Sequence, residues 1–230
     1  MIKTFYPICA SGSSDVGLVR KQNEDVWASY PESGCFALAD GMGGHKAGEV
    51  AAEMAVSLYI EELLAVGDLN REEAIDYCAR ALAVVNRAVF EASERNEEWK
   101  GMGTTLSALL FVEKAVVVSH VGDSRAYRVR DGEIKQLTTD HTGINKVKGT
   151  VLTRAIGTQS VVKPQIQSFP VHAQDRYLLT SDGLTNYVGD REILGLVQEP
   201  NTLENLVALA KRRGGADNIT AVLVEVGDAL

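Results

Sequence analysis

The sequence predicts an α+β fold in which antiparallel strands dominate and helices lie on the outside. Three observations carry that expectation. Strand-like runs occupy residues 2–40 and return from Gly103 onward. A 3.6-residue period fills the interval from Ala47 to Val89. Asp131-Gly132, between two alternating runs, marks a hairpin between antiparallel neighbours. No repeat, low-complexity tract or linker divides the chain, so residues 1–230 are expected to form one domain.

Taken in order, residues 2–12 are mixed apolar and β-prone, a first or edge strand. Residues 15–25 crowd polar groups into a loop, residues 26–30 make a short aromatic strand, and residues 31–34 turn the chain into the apolar run that ends at Asp40. From Ala47 to Leu64 the stripe Ala47, Val50, Met54, Leu58 predicts an amphipathic helix, with Glu49 and Glu53 turned away. A second helix starts after Asn70, an N-cap with Glu73 at the third helical position, and the two should pack as an antiparallel pair. Residues 104–112 and 115–121 are continuous apolar runs, expected at a sheet centre. Residues 127–130 and 133–137 form the hairpin, and residues 139–150 read as a polar loop. Further strands are expected at 165–171, 176–181 and 219–226. Helices are expected at 190–198 and 202–213, the latter capped by Thr202 and stopped by Gly214.

The chain has 23 Lys and Arg against 31 Asp and Glu, a formal charge of −8. That balance argues against a nucleic-acid surface, and no basic run suggests an anionic membrane. Cys9, Cys35 and Cys78 are odd in number and widely spaced, and read as reduced core residues rather than a disulfide frame or zinc cluster. With no leader pattern and no apolar run near the ~20 residues of a membrane span, a cytoplasmic protein is expected.

Asp40-Gly41 alone is a common turn dipeptide. It gains meaning from company: Gly122-Asp123, Asp182-Gly183 and Asp217 also stand at the ends of apolar strands. If those ends converge, the repulsion among four carboxylates demands cations, and hard oxygen ligands suit Mg²⁺ or Mn²⁺ rather than zinc. The acidic loop Asn23-Glu24-Asp25 and the nearby Arg20 could join them, the guanidinium suiting a phosphate dianion. There is no glycine loop ending in Gly-Lys-Ser/Thr and no His-Glu-x-x-His pair, so hydrolysis by a metal-activated water is the most economical chemistry.

Eight segments in order extend over nearly the whole chain: residues 17–25, 39–49, 102–105, 120–125, 137–142, 152–157, 180–184 and 214–220. Together they resemble the metal-dependent serine/threonine protein phosphatases of the PP2C (PPM) family, in its compact bacterial form. The resemblance implies a four-layer αββα sandwich with two central antiparallel sheets and a metal centre at one end. It implies that Asp40, the Gly41 carbonyl, Asp182 and Asp217 hold two core Mn²⁺ or Mg²⁺ ions. Glu24 and Asp25 would support them, Asp123 would help hold a third, weaker ion, and Arg20 would grip the substrate phosphate. A metal-bridging water would attack phosphorus directly, with no phosphoenzyme.

Two departures stand out. Met42 follows Gly41 where animal members carry a general-acid histidine, and His45 is the substitute. The segment between Thr142 and Leu152 is shorter than the overhanging flap of many bacterial relatives, which predicts a more open cleft.

The expected partners are phosphorylated serine/threonine proteins and a cognate Ser/Thr kinase, with the chain a monomer. Other classes stay open at this point. One is a phosphoprotein-binding module without turnover. Another is a metal-dependent phosphodiesterase, against which the acidic charge speaks.

Overall fold

The structure, a computed structural model, describes residues 6–42, 47–145 and 149–228. In chain order it forms β1 (Ile8–Asp15), β2 (Asp25–Tyr30), β3 (Cys35–Met42), α1 (Gly48–Ala65), α2 (Arg71–Arg95), β4 (Gly103–Thr104), β5 (Leu106–Val112) and β6 (Ala115–Val121). There follow β7 (Arg125–Arg130), β8 (Glu133–Gln136), β9 (Thr142–Asn145), β10 (Gly149–Leu152), β11 (Gln165–Pro170), β12 (Arg176–Thr180), α3 (Asp182–Thr185), α4 (Asp190–Val197), α5 (Thr202–Arg212) and β13 (Ile219–Val226).

Two antiparallel sheets stack face to face. The first has the order β1-β13-β12-β7-β8, the second β11-β6-β5-β3-β2 with β4 added on β3. Phe36, Leu38, Leu109, Phe111, Tyr177 and Val222 fill the space between them. The outer face of the second sheet is covered by α1 and α2, that of the first by α3, α4 and α5. This is the αββα layering that the family resemblance implies. Every residue of β5 and β6 is buried, because helices cover one face and the other sheet covers the opposite one.

Local chemistry explains most boundaries. The Asn70 side chain accepts from the backbone of Glu72 and Glu73, while the Glu73 carboxylate accepts from Asn70 N, a complete capping box. Asp131 and Gly132 both take positive φ, 52° and 75°, the geometry of a tight hairpin turn whose twist matches its strands.

Several expectations are corrected. The innermost face of α1 is Ala51, Ala55, Tyr59 and Leu63, not Val50, Met54 and Leu58, which flank it. Small alanines let the helix approach the sheet, so bulk was a poor guide to the buried stripe. The expected loop at 139–150 is only partly one: Thr142–Asn145 and Gly149–Leu152 pair antiparallel as β9 and β10, tied down by His141 N to Gly122 O (2.7 Å) and Thr153 N to His141 O (2.8 Å). Thr202 does not cap α5: its hydroxyl donates to Leu196 O and Glu199 O, and Asn201, at φ 58°, precedes the helix. Cys9 is exposed on the edge strand β1, while Cys35 and Cys78 are buried; all three are free. Residues 182–185 form a short helix that the sequence pattern did not reveal. No helix among the described residues is long and apolar enough to cross a membrane.

Candidate metal centre

The strand ends expected to converge do so. A cavity of about 280 Å³ opens where the two sheets end, lined by Arg20, Glu24, Asp40, Gly41, Asp123, Asp182 and Asp217, with Met42, Thr105 and Leu152 completing its wall. Asp25 does not line it. That residue sits behind the cavity, 8% exposed, directly opposite Asp40 in the β2–β3 register. Two carboxylates facing each other across a ladder are destabilising on their own, so the pairing needs compensation. His45 lies outside the described residues.

Each carboxylate is fixed by its element. Asp40 is pinned through its backbone: its N donates to Thr105 Oγ1 (2.9 Å), and its carbonyl accepts from Thr105 N (2.9 Å) and Thr104 Oγ1 (2.9 Å). Gly41 N donates to Glu24 O (3.1 Å), and a Cβ on Gly41 would collide with the carbonyl oxygens of Gly48 and Glu24. Asp182 opens α3, and Gly183 lets that turn close on β13, since a Cβ there would run into Asn218 O. The close approach brings Asp182 and Asp217 to one wall. Asp217 keeps one oxygen on Asn218 N (2.8 Å) and accepts Arg20 Nη2 on the other (2.8 Å). Arg20 is thus held at the rim, about half exposed, by a cavity carboxylate.

Supporting residues that sequence reasoning left without a role lie just behind. Asn218 accepts Glu24 N on Oδ1 (2.8 Å) and donates from Nδ2 to Val16 O (3.0 Å) and Gln22 O (2.9 Å), strapping the Arg20 loop to the start of β13. Ser181 donates to Asp25 Oδ2 (2.8 Å) and accepts Thr220 N (3.0 Å). Both fall inside recognised motif segments. The signal was present, but nothing in the sequence told an orienting amide from a surface one.

The electrostatics are those of an anionic cluster that Arg20 compensates only in part. Burial, then the charges of Asp25, Asp182, Asp217 and Asp123, raise Asp40 well above the ordinary carboxylate range. Burial followed by Asp217 raises Asp182. Asp25 and Asp123 are each pushed up to about 6, chiefly by burial. Burial and Glu49 raise Glu24. The side chains of Asp40 and Asp182 lie within hydrogen-bonding reach of each other, which like charges tolerate only with a proton or a cation between them. Asp25 Oδ1 is buried with no hydrogen-bond partner.

These features fit hard divalent cations. Among the described residues no three Asp, Glu, His or Cys side chains form a ready-made, closed ligand set.

Comparison with known proteins agrees with this geometry. The sequence model of the protein phosphatase 2C family matches residues 19–224. The chain is 38% identical over 235 residues to the serine/threonine protein phosphatase PstP of Mycobacterium tuberculosis, covering 94% of this chain but 44% of that protein, so it spans less than half of PstP. It is 35% identical to the serine/threonine phosphatase stp of Listeria monocytogenes, covering 92% of this chain and 93% of that one. Among solved structures, it superposes with a TM-score of 0.85 on the catalytic domain of PstP in complex with two manganese ions. That likeness is at 35% identity, over 96% of this chain and 99% of that one.

Proposed function

The chain belongs to the protein phosphatase 2C family of phosphoprotein phosphatases, and on that premise we propose that it hydrolyses phosphoserine and phosphothreonine in proteins with the help of Mn²⁺ or Mg²⁺. The observation that carries the reading is the convergence of Asp40, Asp123, Asp182, Asp217 and Glu24 on one cavity with Arg20 at its rim. Asp40, the Gly41 carbonyl, Asp182 and Asp217 would hold two core ions, and Asp123 would share in a third. Glu24 and Asp25 would orient the water around them. Bound there, divalent ions supply an activated water and neutralise charge on the phosphoryl group.

The chain's own residues do the rest. Arg20, already turned into the site by Asp217, presents a planar fork that matches a phosphate dianion, and its half-exposed position leaves it free to exchange partners. The backbone pins on Asp40 keep the acidic wall from relaxing as charge changes, which is preorganisation rather than induced order. The leaving Ser or Thr oxygen must gain a proton, and His45, on the glycine segment after Met42, is our candidate donor, since imidazole is the side chain suited to general acid work near neutral pH. The physiological partners would be phosphorylated proteins and a cytosolic Ser/Thr kinase whose marks the chain removes, acting as a monomer.

Turnover of p-nitrophenyl phosphate and of a phosphothreonine peptide tests this directly. Both should require added Mn²⁺ and vanish in Asp182→Ala. Metal-independent turnover, or a fully active Asp182→Ala, would overturn it. A phosphopeptide that binds at saturating Mn²⁺ without turnover would instead mark a binding module.

A further inference from the structure

The cavity lining is not acidic throughout. Met42 and Leu152 form part of the wall beside the carboxylates. Leu152 ends β10 opposite Thr142 of β9, and Ile144 stands opposite Thr150. Directly opposed residues and those two positions along share one face of a strand pair. Ile144 therefore occupies the hairpin face on which Leu152 meets the cavity, one step further out, and it is 90% exposed. On the loop that presents Arg20, Leu18 and Val19 are 61% and 69% exposed. Of the seven large apolar side chains exposed among the described residues, these three sit on the two segments that frame the site.

Single exposed apolar residues need no explanation. These differ because the loop of Leu18 and Val19 is not slack. Leu18 N donates to Gly215 O (2.7 Å), and Asn218 holds the loop at Val16 and Gln22. A braced loop that keeps two apolar side chains in water beside a phosphate-binding arginine is arranged to meet something. Glu24, Asp40, Asp123 and Asp182, with a net charge of −8, repel acidic neighbours of the phosphate.

We propose that Leu18, Val19 and Ile144 are lips that select substrate: an extended phosphoprotein segment whose phosphorylated Ser or Thr enters the cavity while apolar side chains on either side of it pack on Val19 and Ile144. The inference rests on the phosphatase reading above and names its preferred substrate class.

Steady-state kinetics with Mn²⁺ on three substrates test it. They are p-nitrophenyl phosphate, a phosphothreonine peptide with Leu and Val flanks, and the same peptide with Glu flanks. The apolar-flanked peptide should have the higher kcat/KM by at least about tenfold, the discrimination a single apolar contact can supply. Ile144→Ser and Val19→Ser should each shrink that ratio by raising KM for the apolar peptide, with p-nitrophenyl phosphate turnover unchanged. Equal kcat/KM for the two peptides in the unmodified protein overturns the inference, as does a uniform loss on all three substrates in the variants. A sedimenting dimer that both variants dissociate, with the peptide ratio unchanged, makes the lips a self-association surface and also overturns it. Absence of p-nitrophenyl phosphate turnover would remove the phosphatase reading itself, whereas turnover without peptide discrimination removes only the lips.

Discussion

Asp25 and Asp123 hold protons up to about pH 6 in the folded, metal-free chain. A carboxyl whose folded pKa stands above its unfolded value stabilises the fold when protonated, and that contribution is lost as pH rises through the folded pKa. These carboxyls should therefore give the metal-free protein a higher melting temperature at pH 5 than at pH 7, measured by scanning fluorimetry in EDTA, partly offset in the same window by buried His120, lowered to about 4, and His141, also lowered by burial. Carboxylates held low work in the opposite sense: Asp15 is bonded to Lys211, and Asp175 is bonded to Arg130 strongly enough to outweigh its burial. They surrender their contribution only below about pH 4, outside that window. Added Mn²⁺ should raise the melting temperature more at pH 7, where fewer protons compete for the same oxygens. Asp182→Asn tests the same repulsion from another side. Removing one charge beside Asp40 should raise the metal-free melting temperature at pH 7 while abolishing Mn²⁺-dependent turnover. A fall in that temperature would show that Asp182 is satisfied within the fold. The four aspartates were legible in the sequence because each ends an apolar run. Asn218 and Ser181 were not, because their worth lies in atoms from distant segments that only folding brings within 3 Å or so.

Among elements, the loop of residues 16–24 and the capping box of α2 make contrasting cases. Asn218→Ala removes three hydrogen bonds to the loop. It should lower kcat/KM by about tenfold or more through Arg20 and Glu24, the scale seen when groups that orient ligands are lost. Fold and far-ultraviolet dichroism should be little changed. Asn70→Ala removes the cap at Glu72 and Glu73. That should cost about 1 kcal/mol in denaturant titration, with kcat and KM untouched. Long periodic helices and the Asp131-Gly132 hairpin could be read from sequence because their signals are local. The β9–β10 hairpin could not: its strands carry no alternation, and a two-stranded ribbon is stable only through its anchors at His141 and Thr153. The true inner face of α1 escaped for a related reason, since alanine is chosen there by the distance to β3 rather than by its own hydrophobicity.

Over the whole molecule, the two ends of the sandwich have separate tasks. The acidic cavity lies where β12 ends and β13 begins. At the other end, Asp175 is fully buried and accepts both Arg130 Nε and Nη2 (2.6 Å each), Tyr177 OH (2.9 Å) and His172 N (3.0 Å). Asp175→Ala would leave the Arg130 guanidinium and Tyr177 hydroxyl without their partner, and should cost about 3–5 kcal/mol of stability. At a temperature where the variant remains folded, its kcat and KM should match the unmodified protein, because the lesion is a sheet's length from the cavity. A change in KM with intact folding would show that the ends are coupled. Element order alone predicts antiparallel strands with helices outside; the four αββα layers rest on the family resemblance. Which strands are neighbours does not follow from element order, since β1 pairs with β13 across almost the full chain.

That pairing also matters while the chain is being made. In the first sheet β13 lies between β1 and β12. A ribosome adding about 5–20 residues per second must reach Ile219–Val226 before β1 can acquire its neighbour, and must reach Asp217 before that side chain can meet Asp40. Until then the growing polypeptide carries an unpaired first strand, and a half-built sandwich exposes Phe36, Phe111 and Tyr177. Loop closure of such length slows nucleation, so the pairing of β1 with β13 comes late in folding. Slowing elongation should not help this chain fold.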